Sequence, residues 1–362
     1  MKKILLINWR DIKNPEAGGA ELYFHEIFKR LAAKGYSVTV LAHAFGGAPS
    51  EETVDGLTVI RRGGKFLFNY QIIPWLVTHH RSYDIVIEDL NKIPFFTLFY
   101  CRKPRLHLAM HFFGTEIFKE AVFPLALYVF LMERLAGFLY RREKFVAISE
   151  STAGDLVRFG VPRDTITIIE PGIDTTFFRP VCEKKRPAVI AHVGRLMKYK
   201  NVQFVITCLP ELLKHAPDLM LHIGGSGDYR SALENLAASL GVREHVRFLG
   251  RISEEEKREL LSGAVMFVNP SAKEGWGINN IEANLCGTVS LSNNVHGLRD
   301  SVIDTVTGLL YQPDDRDDFV RKALILLTDD KARSRMEQAA LKRAREDLDW
   351  ETIASRMEAV LN

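Results

Sequence analysis

Two carboxylates, Glu274 and Glu282, lie eight residues apart with a glycine pair between them. The apolar spacing after Gly277 predicts a helix, which places Glu282 about 1.5 turns past the helix start and Glu274 on the preceding loop. The first N–H groups of a helix have no intrahelical partner and lie at its positive end. Such amides bind phosphate and carboxylates bind hydroxyls, so the segment suits a sugar phosphate. A glycine turn before a helix with solvated acids is the competing interpretation.

Cations follow another predicted strand, Ala188–Val193. Arg195 and Lys200 fall in the loop between this strand and the next predicted helix. Arginine can bind two phosphate oxygens at once and lysine adds a point charge, so the loop is a candidate diphosphate site. Ordinary solvated basic residues would give the same pattern.

Glycines precede two further predicted helices. Gly18 and Gly19 follow the first strand, and a run that includes Gly225 follows the strand Leu219–Ile223. Glycine permits close approach of an anion to the backbone, although each run is also compatible with a simple tight turn. Neither run has the GxGxxG spacing of a dinucleotide site. His111, at the end of a predicted strand, is a candidate ligand for a sugar hydroxyl or a reacting oxygen.

Composition limits the class of protein. The chain has 362 residues, 47% of them hydrophobic and 26% charged, with a net charge of +3, which argues against nucleic-acid binding. Four well-separated cysteines without a CxxC pair predict a reducing, cytoplasmic compartment and no structural zinc. The apolar run at the N-terminus is too short for a signal peptide, and no run of 18 uncharged apolar residues predicts a transmembrane helix.

The elements that position these residues alternate between apolar strands and amphipathic helices, twice over. Each alternation predicts a doubly wound parallel sheet with helices on both faces. The punctuated stretch Phe178–Pro187 is the predicted linker, and 362 residues suit two domains. In such sheets ligands bind beyond the carboxyl ends of the strands, where the candidate residues fall. The principal predicted strands begin at Lys3, Ser37, Thr58, Ile85, His107, Lys144, Ile166, Ala188, Leu219, Val246, Val265, Val289 and Leu309.

Taken in chain order, these motifs resemble the retaining glycosyltransferases of family 4, which have the GT-B fold. The Glu274-to-Glu282 element, continued by Cys286-Gly287-Thr288, is the most specific match, and the glycine motifs are weak by themselves. The resemblance implies two Rossmann-like doubly wound domains that face each other across a cleft. It further implies an acceptor domain over residues 1–178, a donor domain over 179–346, and a last helix, 347–362, that crosses back to the first domain.

The resemblance also implies a role for each candidate residue. Arg195 and Lys200 would hold the donor diphosphate and stabilise it as a leaving group, and Glu274 would bind hydroxyls of the donor sugar. Glu282 would bind the ribose, and His111 would lie beside the sugar. The donor-binding backbone would come from Gly18, Gly19, Gly225, Gly277, Ile278 and Asn279.

As a family-4 enzyme, the protein would transfer a hexose with retention from a GDP- or UDP-hexose to a glycan or lipid-linked hydroxyl. The resemblance implies front-face attack assisted by the leaving phosphate, with no metal and no other cofactor. The chain departs from the family pattern at Glu170, Val289 and Phe112. The last departure follows His111 and leaves the shape of the sugar pocket open.

A stretch without acids runs from Gly56 to Tyr83 and includes Arg61, Arg62, Lys65 and several aromatic residues. With the apolar segment Ala121–Leu131, it suits the hypothesis of a peripheral enzyme at an anionic membrane surface, at the inner face. Packing of these aromatic residues in the core of the first domain is the alternative.

Three other functions remain open at this point. A Rossmann-type dehydrogenase is disfavoured by the missing GxGxxG, and a GT-B phosphorylase by the lack of a cofactor-lysine motif. A sugar-nucleotide-binding pseudoenzyme is disfavoured by the presence of both carboxylates with Arg195 and Lys200.

Overall fold

The structure is a computed structural model that describes residues 2–90, 93–110, 112, 114, 117–120, 122–184 and 187–362, with the side chains of 119 and 120 left out. The chain forms two compact units. The first comprises Met1–Gly172 together with Trp350–Asn362, and the second comprises Ile173–Asp349.

Strands and helices alternate through the first unit. In chain order they are β1 (Lys3–Ile7), α1 (Gly19–Ala33), β2 (Ser37–Ala42), β3 (Glu51–Val54), β4 (Leu57–Arg61), α2 (Phe68–Gln71), α3 (Ile73–His79), β5 (Ile85–Asp89), α4 (Thr97–Tyr100), β6 (Arg105–Ala109), α5 (Ile117–Glu120), α6 (Phe123–Tyr140), β7 (Phe145–Ala147), α7 (Glu150–Arg158) and β8 (Ile166–Ile168).

The second unit repeats this alternation. Its elements are β9 (Val189–Val193), α8 (Val202–Leu213), β10 (Met220–Gly224), α9 (Arg230–Ser239), β11 (Val246–Gly250), α10 (Glu254–Gly263), β12 (Met266–Asn269), α11 (Ile278–Leu285), β13 (Ser290–Asn293), α12 (Leu298–Ser301), β14 (Gly308–Tyr311), α13 (Arg316–Thr328) and α14 (Asp330–Asp347). The final helix, α15 (Trp350–Leu361), belongs to the first unit.

Each unit is built on one sheet. The strand order is β3-β4-β2-β1-β5-β6-β7-β8 in the first unit and β11-β10-β9-β12-β13-β14 in the second. Neighbouring strands pair in parallel, apart from the antiparallel pair β3 and β4. The predicted doubly wound parallel sheets are therefore confirmed. The edge strand β3 was not predicted, because a short hairpin leaves little trace in the apolar pattern.

The apolar runs of the sequence form strands that are buried inside each unit. Ile4 to Ile7 of β1 are at most 1% exposed, because helices cover both faces of a parallel sheet. The second unit has one large core, in which Ile190, Leu221 and Val268 of the sheet pack with residues of helices α8, α9 and α13. These rigid sheets hold the loops at their carboxyl ends in place.

The chain passes from one unit to the other at residues 172/173 and back at 349/350. The boundaries predicted from the sequence were 178/179 and 346/347. Residues just after Ile173 already bond to α10, since Arg258 donates to the Phe177 carbonyl at 3.2 Å and Val181 N–H donates to Ser262 Oγ at 3.3 Å. In the first unit α15 is seated at Gly172, where a Cβ would lie 2.4 Å from the Trp350 ring.

The acid-free stretch divides between core and surface. Arg61 is 1% exposed and pairs with Asp11 at 2.7 Å and Glu52 at 2.6 Å, and Phe68 is fully buried. The prediction that Arg61 belongs to a basic surface is therefore wrong, because two carboxylates neutralise its guanidinium inside the unit. Phe66, Leu67 and Tyr70 are exposed.

Helix α6 has the length and composition of a membrane-crossing segment. Its 18 residues have a mean hydropathy of 1.4, and 33% of them are buried. Glu133 and Arg134 interrupt the apolar run, so its sequence pattern did not predict a helix of this length.

Candidate functional site

The strand order of the second unit changes direction between β9 and β12. From β9 the chain moves to β10 and β11 on one side and then returns to place β12 on the other. At such a point the loops after the two central strands diverge and leave a ligand-sized gap at the carboxyl edge. Arg195 and Lys200 lie on the loop after β9, and Glu274 lies on the loop after β12.

These two loops are joined at Lys200 and Glu274. Lys200 Nζ lies 2.5 Å from Glu274 Oε1, and the Ser271 hydroxyl donates to the same oxygen at 2.8 Å. The backbone adds a bond from Ala272 N–H to the Tyr199 carbonyl at 2.9 Å. Both charged side chains keep partial exposure, 15% for Lys200 and 20% for Glu274. The pair is thus fixed in position while its charges stay accessible to a polar ligand.

Arg195 differs from Lys200 because its guanidinium is exposed and pairs with no acid in the described part of the chain. Its neighbour Leu196 is 1% exposed, and the Leu196 N–H donates to the Ser226 carbonyl at 3.0 Å. The backbone beside Arg195 is therefore anchored, and the cation remains available to an anion.

Gly225 serves the packing of two loops. Its φ is +138°, and a Cβ there would lie 1.8 Å from the Gly194 carbonyl oxygen. Gly227 has a similar constraint, since a Cβ would lie 2.3 Å from the Leu196 carbonyl oxygen. Of the two interpretations of this run, the structure favours the tight turn: the glycines let the loop after β10 lie directly against the loop that carries Arg195.

Helix α11 begins where the sequence predicted. Gly277 is its N-cap with φ +85°, and Ile278 and Asn279 are the first helical residues. The Asn279 side chain donates to the Val193 carbonyl at 2.7 Å, which ties the helix start to the end of β9, and Ile278 is 38% exposed. The first amides of α11 therefore stand at the same sheet edge as the cations and form a site suited to an anion.

Glu282 is buried rather than solvated. Its Oε1 lies 2.8 Å from Lys257 Nζ, whereas its buried Oε2 has no hydrogen-bond partner. Burial raises the pKa of Glu282 above its usual value even though Lys257 pulls it down. Burial lowers the pKa of Lys257, but the attraction of Glu282 outweighs this and leaves that pKa raised. One oxygen is thus committed to an ion pair, and the other can accept a hydrogen bond.

Three predicted residues belong to the first unit. Gly18 is the N-cap of α1, and its N–H donates to Glu21 Oε2 at 2.8 Å. A Cβ at Gly19 would meet no atom within 4 Å, so open space rather than crowding surrounds this residue. His111 lies outside the described residues.

Sequence reasoning missed Ser271, which orients Glu274, and Lys257, which pairs with Glu282. Lys257 lies 25 residues before its partner on another helix, so no local spacing links the two. Ser271 is three residues before Glu274, a spacing that indicates a loop hydrogen bond only once the strand end is known.

The arrangement combines two cations, a helix N-terminus and the Glu274 carboxylate at one sheet edge, with the buried Glu282 carboxylate in the second turn of the same helix. It can bind a ligand that carries both phosphate and hydroxyl groups. Across the described ranges, no group of three His, Cys, Asp or Glu side chains is placed to hold a metal ion.

Comparison with known proteins identifies the family. Residues 174–343 match the family model "Glycosyl transferases group 1", and residues 17–177 match "Glycosyltransferase Family 4". The chain belongs to the family-4-like glycosyltransferases of the GT-B fold class, which confirms both the resemblance and the fold class predicted from the sequence.

Similar proteins match all or part of the chain. Glycogen synthase of Mycobacterium tuberculosis (strain ATCC 25618 / H37Rv) is 26% identical over 98% of this chain and 92% of its own. A GDP-mannose-dependent alpha-(1-6)-phosphatidylinositol monomannoside mannosyltransferase of Mycolicibacterium smegmatis is 30% identical, over 56% of this chain and 57% of its own. The structure of Anabaena Alr3699/HepE in complex with UDP and glucose has a TM-score of 0.74 at 19% identity, covering 100% of this chain and 99% of that one.

Proposed function

We propose that the protein transfers a hexose, with retention of anomeric configuration, from a nucleotide-diphosphate hexose to a hydroxyl of a glycan or lipid-linked acceptor. The observation that carries the proposal is the contact between Lys200 and Glu274 at 2.5 Å. It brings a phosphate-binding cation and a hydroxyl-binding carboxylate together, as a sugar joined to a diphosphate requires.

In this proposal each charged group binds one part of the donor. Arg195 and Lys200 bind the diphosphate with the first amides of α11, and Glu274 accepts hydrogen bonds from the sugar hydroxyls. Glu282 accepts one from the ribose through its unpartnered oxygen. The roles that the family resemblance assigns to Gly18, Gly19 and His111 of the first unit stay part of the proposal.

The reaction breaks the bond between the anomeric carbon and the phosphate oxygen, and the electron pair leaves with the diphosphate. The acceptor oxygen forms the new bond from the same face, and its proton passes to the departing phosphate. Arg195 and Lys200 supply the positive charge that this leaving group needs. We therefore propose that transfer needs neither a metal nor another cofactor.

Two donor bases suit the proposal. The similar Anabaena protein is described in complex with UDP and glucose, and the similar Mycolicibacterium enzyme is named as GDP-mannose-dependent. A thermal-shift series with UDP, GDP and other nucleoside diphosphates distinguishes them, because a ligand that binds only the folded state raises the melting temperature. Cytoplasmic location is part of the proposal.

The test compares two lysines of one loop. Lys200→Met removes the cation paired with Glu274, whereas Lys198→Met removes an exposed cation two residues away. Loss of a preorganised charge at the leaving group lowers kcat by about 100- to 1,000-fold. We expect that loss for Lys200→Met, near-normal turnover for Lys198→Met, and an unchanged melting temperature for the control.

Glu274→Ala should abolish transfer with only a modest effect on folding. Turnover is followed as release of nucleoside diphosphate, and the product's anomeric configuration by proton NMR. Wild-type transfer by either Lys200→Met or Glu274→Ala would overturn the proposed donor site. Tight binding of a sugar nucleotide by wild-type protein without turnover on any acceptor would instead indicate a pseudoenzyme.

A further inference from the structure

Helix α6 has apolar residues on both its faces. Its inner face contributes Ala136 and Tyr140 to a core cluster of the first unit, and the Tyr140 hydroxyl donates to buried Glu88 at 2.9 Å. The opposite face presents Leu127, Leu131, Leu135 and Phe138, all exposed, which we call the α6 outer stripe. Their spacing of three and four residues places them in one row along the helix.

This distribution differs from that of an ordinary surface helix, whose outer face is polar. Glu133, the one acid between Phe123 and Arg142, is 2% exposed and accepts a hydrogen bond from Gly114 N–H at 2.9 Å. Leu131 is 50% exposed and Phe138 is 58% exposed. Helix α6 therefore buries its carboxylate and leaves several large apolar side chains uncovered.

Cations accompany the α6 outer stripe. The Arg134 guanidinium lies 4.8 Å from the Phe130 ring centre, and the Arg141 guanidinium lies 4.5 Å from that of Phe138. Both arginines are exposed. Each guanidinium is stacked on an aromatic ring at the surface, an arrangement suited to an interface between apolar and polar media.

A second exposed apolar segment adjoins α6. The hydroxyls of Tyr70 and Tyr128 lie 2.5 Å apart, which joins α2 to the helix. Just before α2, Phe66 is 84% exposed and Leu67 is 56% exposed. The uncovered apolar surface thus extends beyond a single helix.

We propose that the α6 outer stripe docks the first unit on an anionic lipid bilayer, with α6 lying in the plane of the interface. Apolar side chains flanked by arginines bind such surfaces by insertion and by attraction to anionic headgroups. The packed inner face keeps α6 on the protein, so the helix rests on the bilayer without crossing it. The purpose of this docking rests on the proposed function, since it would bring the enzyme to a lipid-linked acceptor.

A second copy of the chain fits the stripe less well. In a two-fold contact the same patch meets itself, so Arg134 and Arg141 would face the equivalent arginines with no acid on the stripe to neutralise them. Anionic headgroups supply the opposite charge.

Cosedimentation tests the proposal, using vesicles of phosphatidylcholine alone and of a phosphatidylcholine–phosphatidylglycerol mixture at low salt. We expect the wild type to partition onto the anionic vesicles and to do so less at high salt. Leu131→Gln with Leu135→Gln should weaken partition at least about tenfold. Arg134→Gln and Arg141→Gln should weaken it about fivefold each.

Ile303→Gln with Val306→Gln is the matched control, because these residues are 46% and 48% exposed on the second unit. It should bind vesicles as the wild type does, and circular dichroism should show every variant folded. Equal binding to neutral and anionic vesicles, or wild-type binding by the leucine variant, would overturn the proposal. So would a wild-type dimer that the leucine variant converts to monomer, or protein that resists alkaline extraction as a spanning helix does.

Vesicle binding is measured without donor or acceptor, so it is independent of catalysis. Lys200→Met should bind vesicles as the wild type does even though it loses transfer. Failure of docking and failure of the transferase proposal are therefore separate results.

Discussion

The buried pair of Lys257 and Glu282 allows structural and ligand-binding roles to be separated. Lys257→Met removes the cation 2.8 Å from Glu282 Oε1, and Oε2 already lacks a partner. The other partner of Lys257, Glu254, has a side chain that is 62% exposed, so it stays hydrated after the substitution. The substitution therefore leaves one uncompensated carboxylate inside the second unit.

Lys257→Met should lower the free energy of unfolding by a large amount for a single substitution. Breaking a buried ion pair from one side lowers the free energy of unfolding by about 3–5 kcal/mol. Replacing both partners, Lys257→Met with Glu282→Leu, removes the stranded charge together with its desolvation penalty. The double variant should regain most of that loss.

The pH dependence of the stability of Lys257→Met tests independently whether Glu282 is left as an uncompensated buried carboxylate. Burial already raises the pKa of Glu282 in the folded state, and without Lys257 this pKa rises further. The folded state then binds a proton that the unfolded state releases, so stability is present at low pH and is lost as pH rises through the folded pKa. Lys257→Met should thus become more stable from neutral pH toward about pH 5, while Lys257→Met/Glu282→Leu loses this dependence.

Amide hydrogen exchange of helix α11 is the assay, because it reports local stability in the second unit. Donor affinity is measured in parallel. The double variant should bind nucleotide about 10- to 100-fold more weakly despite restored stability, since a hydrogen bond to a charged group is worth about 1.5–3 kcal/mol. A Lys257→Met variant within about 1 kcal/mol of wild type would refute the ion-pair reasoning. Normal nucleotide affinity in the double variant would limit Glu282 to a structural role.

Gly225→Ala places a Cβ 1.8 Å from the Gly194 carbonyl oxygen, so thermal unfolding should show that the free energy of unfolding falls by about 1–3 kcal/mol. An unchanged melting curve would mean that the two loops separate freely. In the first unit, hydrogen bonds from His107 and Arg105 lower the pKa of Glu143 to about 2, with the His107 bond the largest cause. This stabilisation is present above about pH 4.3 and is lost as pH falls toward 2, so urea unfolding of His107→Gln should show a flatter acid limb than wild type.

The periodic parts of the fold were predictable from sequence. Strand β2 and helix α8 have the predicted bounds, Ser37–Ala42 and Val202–Leu213, because uninterrupted apolar patterns and clear turns define them. The helix start after Gly277 was predictable for the same reason. The hairpin that adds β3 was not, since an edge strand with two acids, one threonine and one buried valine has no apolar run.

Spacing along the chain determined which residues would reach the carboxyl edge of each sheet. The order of residue types in the loops after β9 and β12 was enough to assign a phosphate- and sugar-binding chemistry. The spacing of residues along the chain does not show which of them are buried. Arg61 and Glu282 look like surface charges in the sequence, yet the structure buries both beside opposite charges.

The partners of those charges lie on other elements, and the contact between Lys200 and Glu274 spans 74 residues. Such pairs form only when the order of strands brings their loops together. The outer stripe of α6 was hidden for a related reason: a leucine-rich helix has the same composition whichever face meets the core. Local sequence therefore determined the elements and the chemistry of their ends, and the tertiary fold decided which charges are paired and which apolar faces remain uncovered.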